Sequence, residues 1–132
     1  MAITFSIPGN PVPQPRPKVC VRNNKPHGYV KRKHPIHAYR QAVAVAARAA
    51  GVVEADGPVS VIIDAVFARP KSHLNKSGVK PTAPALPRPD VDNLGKAVLD
   101  ALQDVMGDDT NVSRLLVEKS WGTEGRTTVR IT

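Results

Sequence analysis

One stretch of the chain constrains both its packing and its chemistry. At 100° per residue, Val91, Leu94, Val98, Leu102 and Val105 fall on a single arc, so residues 91–105 read as an amphipathic helix that must lay that stripe on a core. The opposite side carries Asp92, Lys96 and Asp100, with Asp92 and Lys96 at i and i+4. Asp90 stands just before the first turn, and Pro89 fixes the direction of the chain entering it. Asp108 and Asp109 follow the helix. Six of the chain's eleven acidic residues therefore lie between Asp90 and Asp109.

The rest of the chain is basic, with a formal charge of +8. Arg16, Lys18, Arg22, Lys25, Lys31, Arg32, Lys33, Arg40 and Arg48 precede the first acidic residue, Glu54. Arg69, Lys71, Lys76, Lys80 and Arg88 form a second group. A mild excess of cations would mean solubility alone. One-sided clustering on this scale is the electrostatic footprint of nucleic-acid binding. An anionic membrane would instead call for a basic amphipathic helix, and Pro15, Pro17, Pro26 and Pro35 break the basic segment. No apolar run approaches bilayer length, and the first residues lack the basic and apolar regions of a signal peptide. Cys20, the single cysteine, has no internal disulfide partner. The expectation is one soluble domain over residues 1–132, acting in the cytoplasm, with an inert Cys20 and no membrane partner.

Periodicity gives the coarse organisation. Residues 2–7 read as a short strand and 8–17, with five prolines, as an extended loop. Residues 18–30 read as an irregular or hairpin-like basic segment around Asn23 and Asn24. Ile36, Tyr39, Val43, Ala46 and Ala50 recur at helical spacing over 35–50, and Gly51 ends the run. Val59, Val61, Ile63, Ala65 and Phe67 line one face of a strand at 59–67. Ile62 and Val66 on its other face mark it as central. Residues 69–89 read as a long loop. Strands at 112–121 and 127–131 are joined by a turn at 122–125. The order suggests an α+β sandwich with helices packed on a sheet.

The acidic residues have an ordinary explanation: Asp90 caps the helix, Asp92 favours its dipole and Asp108–Asp109 make a turn. That leaves their concentration inside a cationic chain unexplained. A hard divalent cation beside a bound polyanion explains both, because magnesium takes carboxylate oxygens and assists phosphodiester hydrolysis. The helix is about 22 Å long at 1.5 Å per residue, so within one chain Asp109 joins Asp90 and Asp92 only if the following loop doubles back.

The run Asp90-Val-Asp-Asn-Leu-Gly-Lys-Ala-Val-Leu-Asp-Ala-Leu102, followed by Gly107-Asp-Asp-Thr-Asn-Val112, resembles the RusA family of Holliday junction resolvases. The opening Ile7-Pro-Gly-Asn-Pro-Val-Pro-Gln-Pro-Arg-Pro-Lys18 and the later Lys119-Ser-Trp-Gly122 are similar to the same family. The resemblance implies a homodimeric, magnesium-dependent endonuclease, with manganese as a substitute, that nicks four-way DNA junctions symmetrically in recombination and repair. It implies Asp90, Asp92 and Asp109 as metal-binding carboxylates, with Lys96 beside them as the essential lysine. The implied fold is RusA-like: α+β, a mixed four- or five-stranded sheet with two main helices packed on it. One departure is visible. Where family members often carry several arginines before the first Asp, residues 86–89 hold only Arg88.

Lys96 then has two roles open to it, offsetting charge on the scissile phosphate or orienting the attacking water; its ordinary role is a surface pair with Asp92 or Asp100. The DNA grip falls to Arg16, Lys18, Arg22, Lys31, Arg32, Lys33, Lys71, Lys76 and Arg88. Other chemistries fit less well. There is no P-loop and no Gly-x-Gly-x-x-Gly, and His27, His34, His37 and His73 lack zinc-ligand spacing. His34 and His37 read as exposed or DNA-facing, Asp64 as a buried or edge structural residue or a further acid of the metal shell, and Trp121 as a core or interface aromatic. A non-catalytic DNA-architectural or ribosomal-type RNA-binding protein is the rival; it accounts for the charge but not for the carboxylates.

Overall fold

A computed structural model describes residues 2–132. β1 (Ile3–Pro8) buries Phe5 and Ile7 and turns Thr4 and Ser6 outward, the two-residue alternation of a strand with one covered face. β2 (Lys18–Arg22) and β3 (Lys25–Tyr29) form an antiparallel ribbon. Asn23 and Asn24 turn it at φ 52° and 60°, the backbone a two-residue hairpin requires and asparagine tolerates. α1 (Ile36–Ala49) buries Ile36, Tyr39, Val43, Ala44 and Ala47 and is followed by Gly51 at φ 97°.

β4 (Val59–Ala68) buries Val61, Ile63, Ala65 and Phe67. The 69–89 segment, expected as loop, contains a 3-10 turn (Lys71–His73) and a minimal hairpin of β5 (Leu74–Asn75) and β6 (Gly78–Val79). Two residues per strand carry too little apolar alternation to show in a sequence pattern. α2 (Val91–Met106), β7 (Val112–Gly122) and β8 (Arg126–Ile131) complete the chain.

The main sheet has the order β1-β8-β4-β7. β4 is central, antiparallel to β8 and parallel to β7; the parallel pair needs a crossover connection, which α2 supplies. β7 and β8 are neighbours in sequence but not in the sheet, because β4 lies between them. Both helices cover the same face: Ile36, Tyr39 and Val43 of α1 and Ala97, Val98, Ala101 and Leu102 of α2 share one core with Phe5, Val61, Ile63, Val129 and Ile131. The result is the expected α+β layer of a mixed four-stranded sheet under two helices. No helix among the described residues is long and apolar enough to cross a membrane.

Two details differ from the pattern reading. Val91 is 42% exposed, and Leu94 is the first residue of α2 sealed against the sheet; the first turn stands clear of it. On α1, Ala44 and Ala47 are buried while Ala46 and Ala50 are partly exposed. That helix is wedged between the sheet and α2, so its buried arc is wider than one stripe. Asp64 projects from the helix-free face of β4, in register with Glu118 of β7, on the side of the sheet away from α2.

Candidate active site

α2 is seated by a close approach at Gly95. A Cβ there would lie 2.9 Å from Val117 Cγ2 and 3.3 Å from Leu115 Cδ2, so only glycine lets the helix lie this near β7. Asp92 and Lys96, the exposed residues to either side, are thereby held one turn apart on a helix pinned to the sheet. Asp90 occupies the N-cap with extended backbone (φ −70°, ψ 142°), and its carbonyl accepts from Leu94 N–H at 3.1 Å. Its carboxylate makes no capping hydrogen bond. The ordinary explanation for this acid, a helix cap, therefore fails: Asp90 spends no side-chain oxygen on the fold. Asp92 accepts only from the adjacent Asn93 N–H, at 2.9 Å.

Two contacts distant in sequence fix the entry to α2. Lys119 Nζ donates to Pro89 O at 2.9 Å from a partly buried position on β7. Gln14 N–H donates to Asn93 O at 3.0 Å, tying the proline-rich strap to the first turn. Pattern reading assigned neither residue a role, although both lie in motifs that carry the family resemblance. Long-range contacts of this kind leave no periodic trace.

At the far end of α2 the acidic pair divides its work. Asp108 Oδ1 accepts from Thr110 N–H at 3.1 Å and caps the 3-10 turn Asp109–Asn111. Asp109 is exposed, in the first turn of that helix. With 16 residues in α2, about 24 Å of helix separates its two ends. The chain does not double back to close that gap: β7 starts where α2 ends and runs back beneath it, bringing Lys119, not Asp109, to Pro89. No cluster of three His, Cys, Asp or Glu side chains able to hold a metal exists among the described residues of one chain. Within one chain, Asp109 therefore lies at the opposite end of α2 from Asp90 and Asp92.

The cations proposed to grip DNA are all exposed: Arg16, Lys18, Arg22, Lys31, Arg32, Lys33, Lys71, Lys76 and Arg88. The β2–β3 ribbon also leaves Val19 and Val21 about 70% exposed, so it stands out from the core as a basic arm. Lys31 beside it holds the Lys18 ammonium below the usual lysine pKa, as expected where cations crowd together. His34 and His37 serve the backbone: Ile36 N–H donates to His34 Nδ1 at 3.0 Å, and His37 Nε2 lies 2.9 Å from Lys31 O. Trp121 is half-buried, edge-on to Phe67 and His73 with ring centroids 6.4 and 5.2 Å away. The Arg69 guanidinium lies 5.0 Å from its ring centre.

Comparison with known proteins adds two findings. The family model for endodeoxyribonuclease RusA matches residues 8–132. The Bacillus subtilis (strain 168) protein named "Uncharacterized protein YqaN" is 35% identical over 142 residues, covering 98% of this chain and 94% of that protein. The matched span takes in the proline-rich strap, α2 with its uncommitted Asp90, and the β7 residues that hold Pro89. The chain belongs to the RusA family of endodeoxyribonucleases.

Proposed function

We propose that this endonuclease is a magnesium-dependent Holliday junction resolvase that works as a homodimer in the cytoplasm, making paired symmetric nicks during DNA recombination and repair. The observation that carries the reading is the Asp90 carboxylate. It sits at a helix start where it would ordinarily cap, yet it is unused by the fold and shares the exposed start of α2 with Asp92, with Lys96 one turn further on.

The donor set suits a hard cation. Asp90 and Asp92 offer carboxylate oxygens, the ligand type magnesium takes, and both are free of ion-excluding apolar cover. Bound there, such an ion supplies Lewis-acid polarisation of a phosphoryl oxygen and a more acidic water. The chain's own groups do the rest. Lys96, one turn along from Asp92, places an ammonium where a phosphate's charge gathers. Lys119 and Gln14 hold the peptide units at the start of α2, so the carboxylates are presented by a fixed backbone. The basic ribbon and the cations of the 69–89 segment bind the polyanion.

A second copy supplies the third carboxylate. β7 is an edge strand of eleven residues with Leu115 and Leu116 about 40% exposed, a surface that invites pairing with another strand. If two β7 strands pair antiparallel about a two-fold axis near Val117, the Val112 end of one lies beside the Gly122 end of the other. Asp109 precedes Val112, and Pro89–Asp90 is tied to Lys119 near the opposite end. Asp109 of each copy is thereby carried toward Asp90 and Asp92 of the other. Two such composite sites related by a two-fold axis match a junction with two strands to cut.

The test is a nicking assay on a four-way junction, with magnesium and with EDTA, using wild type and Asp92→Asn. Binding without cutting by the variant supports the assignment. Equal cutting by both proteins, or none by the wild type with any divalent ion, ends it.

A further inference from the structure

A cleft of about 530 Å³ opens beside the start of α2, within the size range of small-molecule sites. Pro89 and Arg88, the residues before Asp90, form part of its wall, and Pro84 and Pro87 extend it. Phe67 and Trp121 form an aromatic side. Arg69 covers the Trp121 ring but lines a neighbouring cleft. The slot is therefore an open cleft, largely apolar and aromatic, whose wall ends at the residue preceding Asp90.

Its few polar groups are distinctive. His73 Nδ1 is buried yet has no hydrogen-bond partner among the described residues. A buried ring nitrogen without a partner carries a desolvation cost that a bound polar ligand would remove. The ring is held in place by its edge-on contact with Trp121 and by the backbone bonds His73 N–H to Pro70 O and Lys80 N–H to His73 O, 3.0 and 2.8 Å. Asn10 also lines the slot. Its Oδ1 already accepts from Ala68 N–H at 2.8 Å, which leaves its amide N–H groups to donate.

We propose that this slot, formed by Phe67, Trp121, His73, Asn10 and the Pro84–Pro89 wall, binds one unstacked nucleobase of the DNA next to the phosphate being cut. The inference rests on the DNA-cleaving reading of the adjacent carboxylates. The Trp121 ring and the proline surfaces replace part of the stacking a base loses on leaving a helix. The Asn10 amide meets its polar edge, and a small turn of the His73 ring brings the unpartnered Nδ1 to it. The strand crossing of a four-way junction is where base stacking is interrupted, so a base is freed there at least cost. Because Pro89 and Asp90 are consecutive, the base in the slot belongs to a nucleotide flanking the scissile phosphate. The slot would then make cleavage depend on base identity at that position.

The test uses the full chain in an Asp92→Asn background, so that DNA is bound in magnesium without being cut. Four-way junctions lacking a single base, scanned position by position around the crossover, are titrated against that protein and against the same protein carrying His73→Ala. Stacking losses of this kind correspond to about tenfold in affinity. One abasic position should cost about that much with His73 in place and markedly less with His73→Ala, while thermal unfolding of the two proteins is alike. A flat abasic profile, or the same profile in both proteins, overturns the slot even though preference for junction over duplex persists. Loss of both junction preference and wild-type nicking would instead bring down the nuclease reading on which the slot rests.

Discussion

Lys119 Nζ lies 2.9 Å from the carbonyl oxygen of Pro89, and that bond joins the edge strand β7 to the residue preceding Asp90. A charged donor to a partly buried carbonyl is worth about 1.5–3 kcal/mol, and removing it frees the peptide that presents the first carboxylate. Lys119→Met should therefore lower the single-turnover nicking rate by about tenfold or more, since small misplacements of catalytic groups carry large rate costs. Affinity for a junction should change little, and Lys119→Arg should recover part of the rate. A Lys119→Met protein that binds weakly but cuts at full rate once bound would mark Lys119 as a DNA contact instead.

The composite arrangement of the two ends of α2 makes a sharper demand. Asp90→Asn and Asp109→Asn should each abolish nicking. Mixed and reassembled, the two inactive proteins form heterodimers in which one site carries both substitutions and the other carries neither. Nicking should return, confined to one strand of each junction. Continued inactivity, with heterodimers demonstrated by tagged co-purification, would rule out a site shared between copies.

The exposed cations predict steep salt dependence. If about six to ten phosphates are contacted, junction affinity should fall roughly 10³–10⁵-fold between 50 and 200 mM salt. Arg22→Ala, on the projecting ribbon, should reduce the slope of log affinity against log salt by about one without shifting the unfolding temperature, because the ribbon contributes no buried apolar side chain. An unchanged slope would remove the ribbon from the DNA interface.

Gly95 permits a stability test of how α2 is seated. An exposed helical glycine gains about 1 kcal/mol on replacement by alanine. Here the added methyl meets Val117 Cγ2 at 2.9 Å, and a β-branched neighbour has little rotamer freedom with which to yield. Overpacking costs about 1–3 kcal/mol, so Gly95→Ala should lower stability by about 1 kcal/mol and lift the turn that carries Asp92 and Lys96. A rise in unfolding temperature would show that the helix is less tightly seated than this contact implies.

The sequence shows most clearly what is local and periodic. The β4 alternation and the Leu94–Val98–Leu102 stripe report a one-sided environment residue by residue, and both are found buried as expected. The ribbon turn is legible because Asn23–Asn24 supplies left-handed backbone. Strand order is not legible: β7 and β8 each pair with β4 and not with one another, and nothing within either strand encodes its partner. Asp90 and Asp92 are recognisable by proximity in sequence. The place of Asp109 depends on the direction the chain takes after Gly107, a tertiary property. Lys119 and Gln14 reach α2 across 30 and 79 residues of sequence, Lys119 to Pro89 and Gln14 to Asn93, and Val91 is exposed because the helix starts before the sheet covers it.

Tyr39 gives a pH test of the core. Its hydroxyl lies 2.7 Å from Thr127 Oγ1, joining α1 to β8 in a fully buried contact. Burial pushes the phenol pKa up, and the bond to Thr127 offsets part of that rise. In the unfolded chain the phenol ionises near pH 10, while the folded protein retains the proton to higher pH. Above that point the folded state binds more protons than the unfolded one, so stability falls as pH rises. The contribution is fully present below the unfolded value and is lost progressively above it. Urea unfolding between pH 8 and 11 should show this decline. Tyr39→Phe should flatten it while costing about 1 kcal/mol at neutral pH, as Thr127 loses its partner. Absorbance of tyrosinate, read in a Tyr29→Phe background, should show Tyr39 ionising only as the fold opens. Ionisation of Tyr39 in the still-folded protein at the pH of the unfolded phenol would mean that the Tyr39–Thr127 contact is open to water.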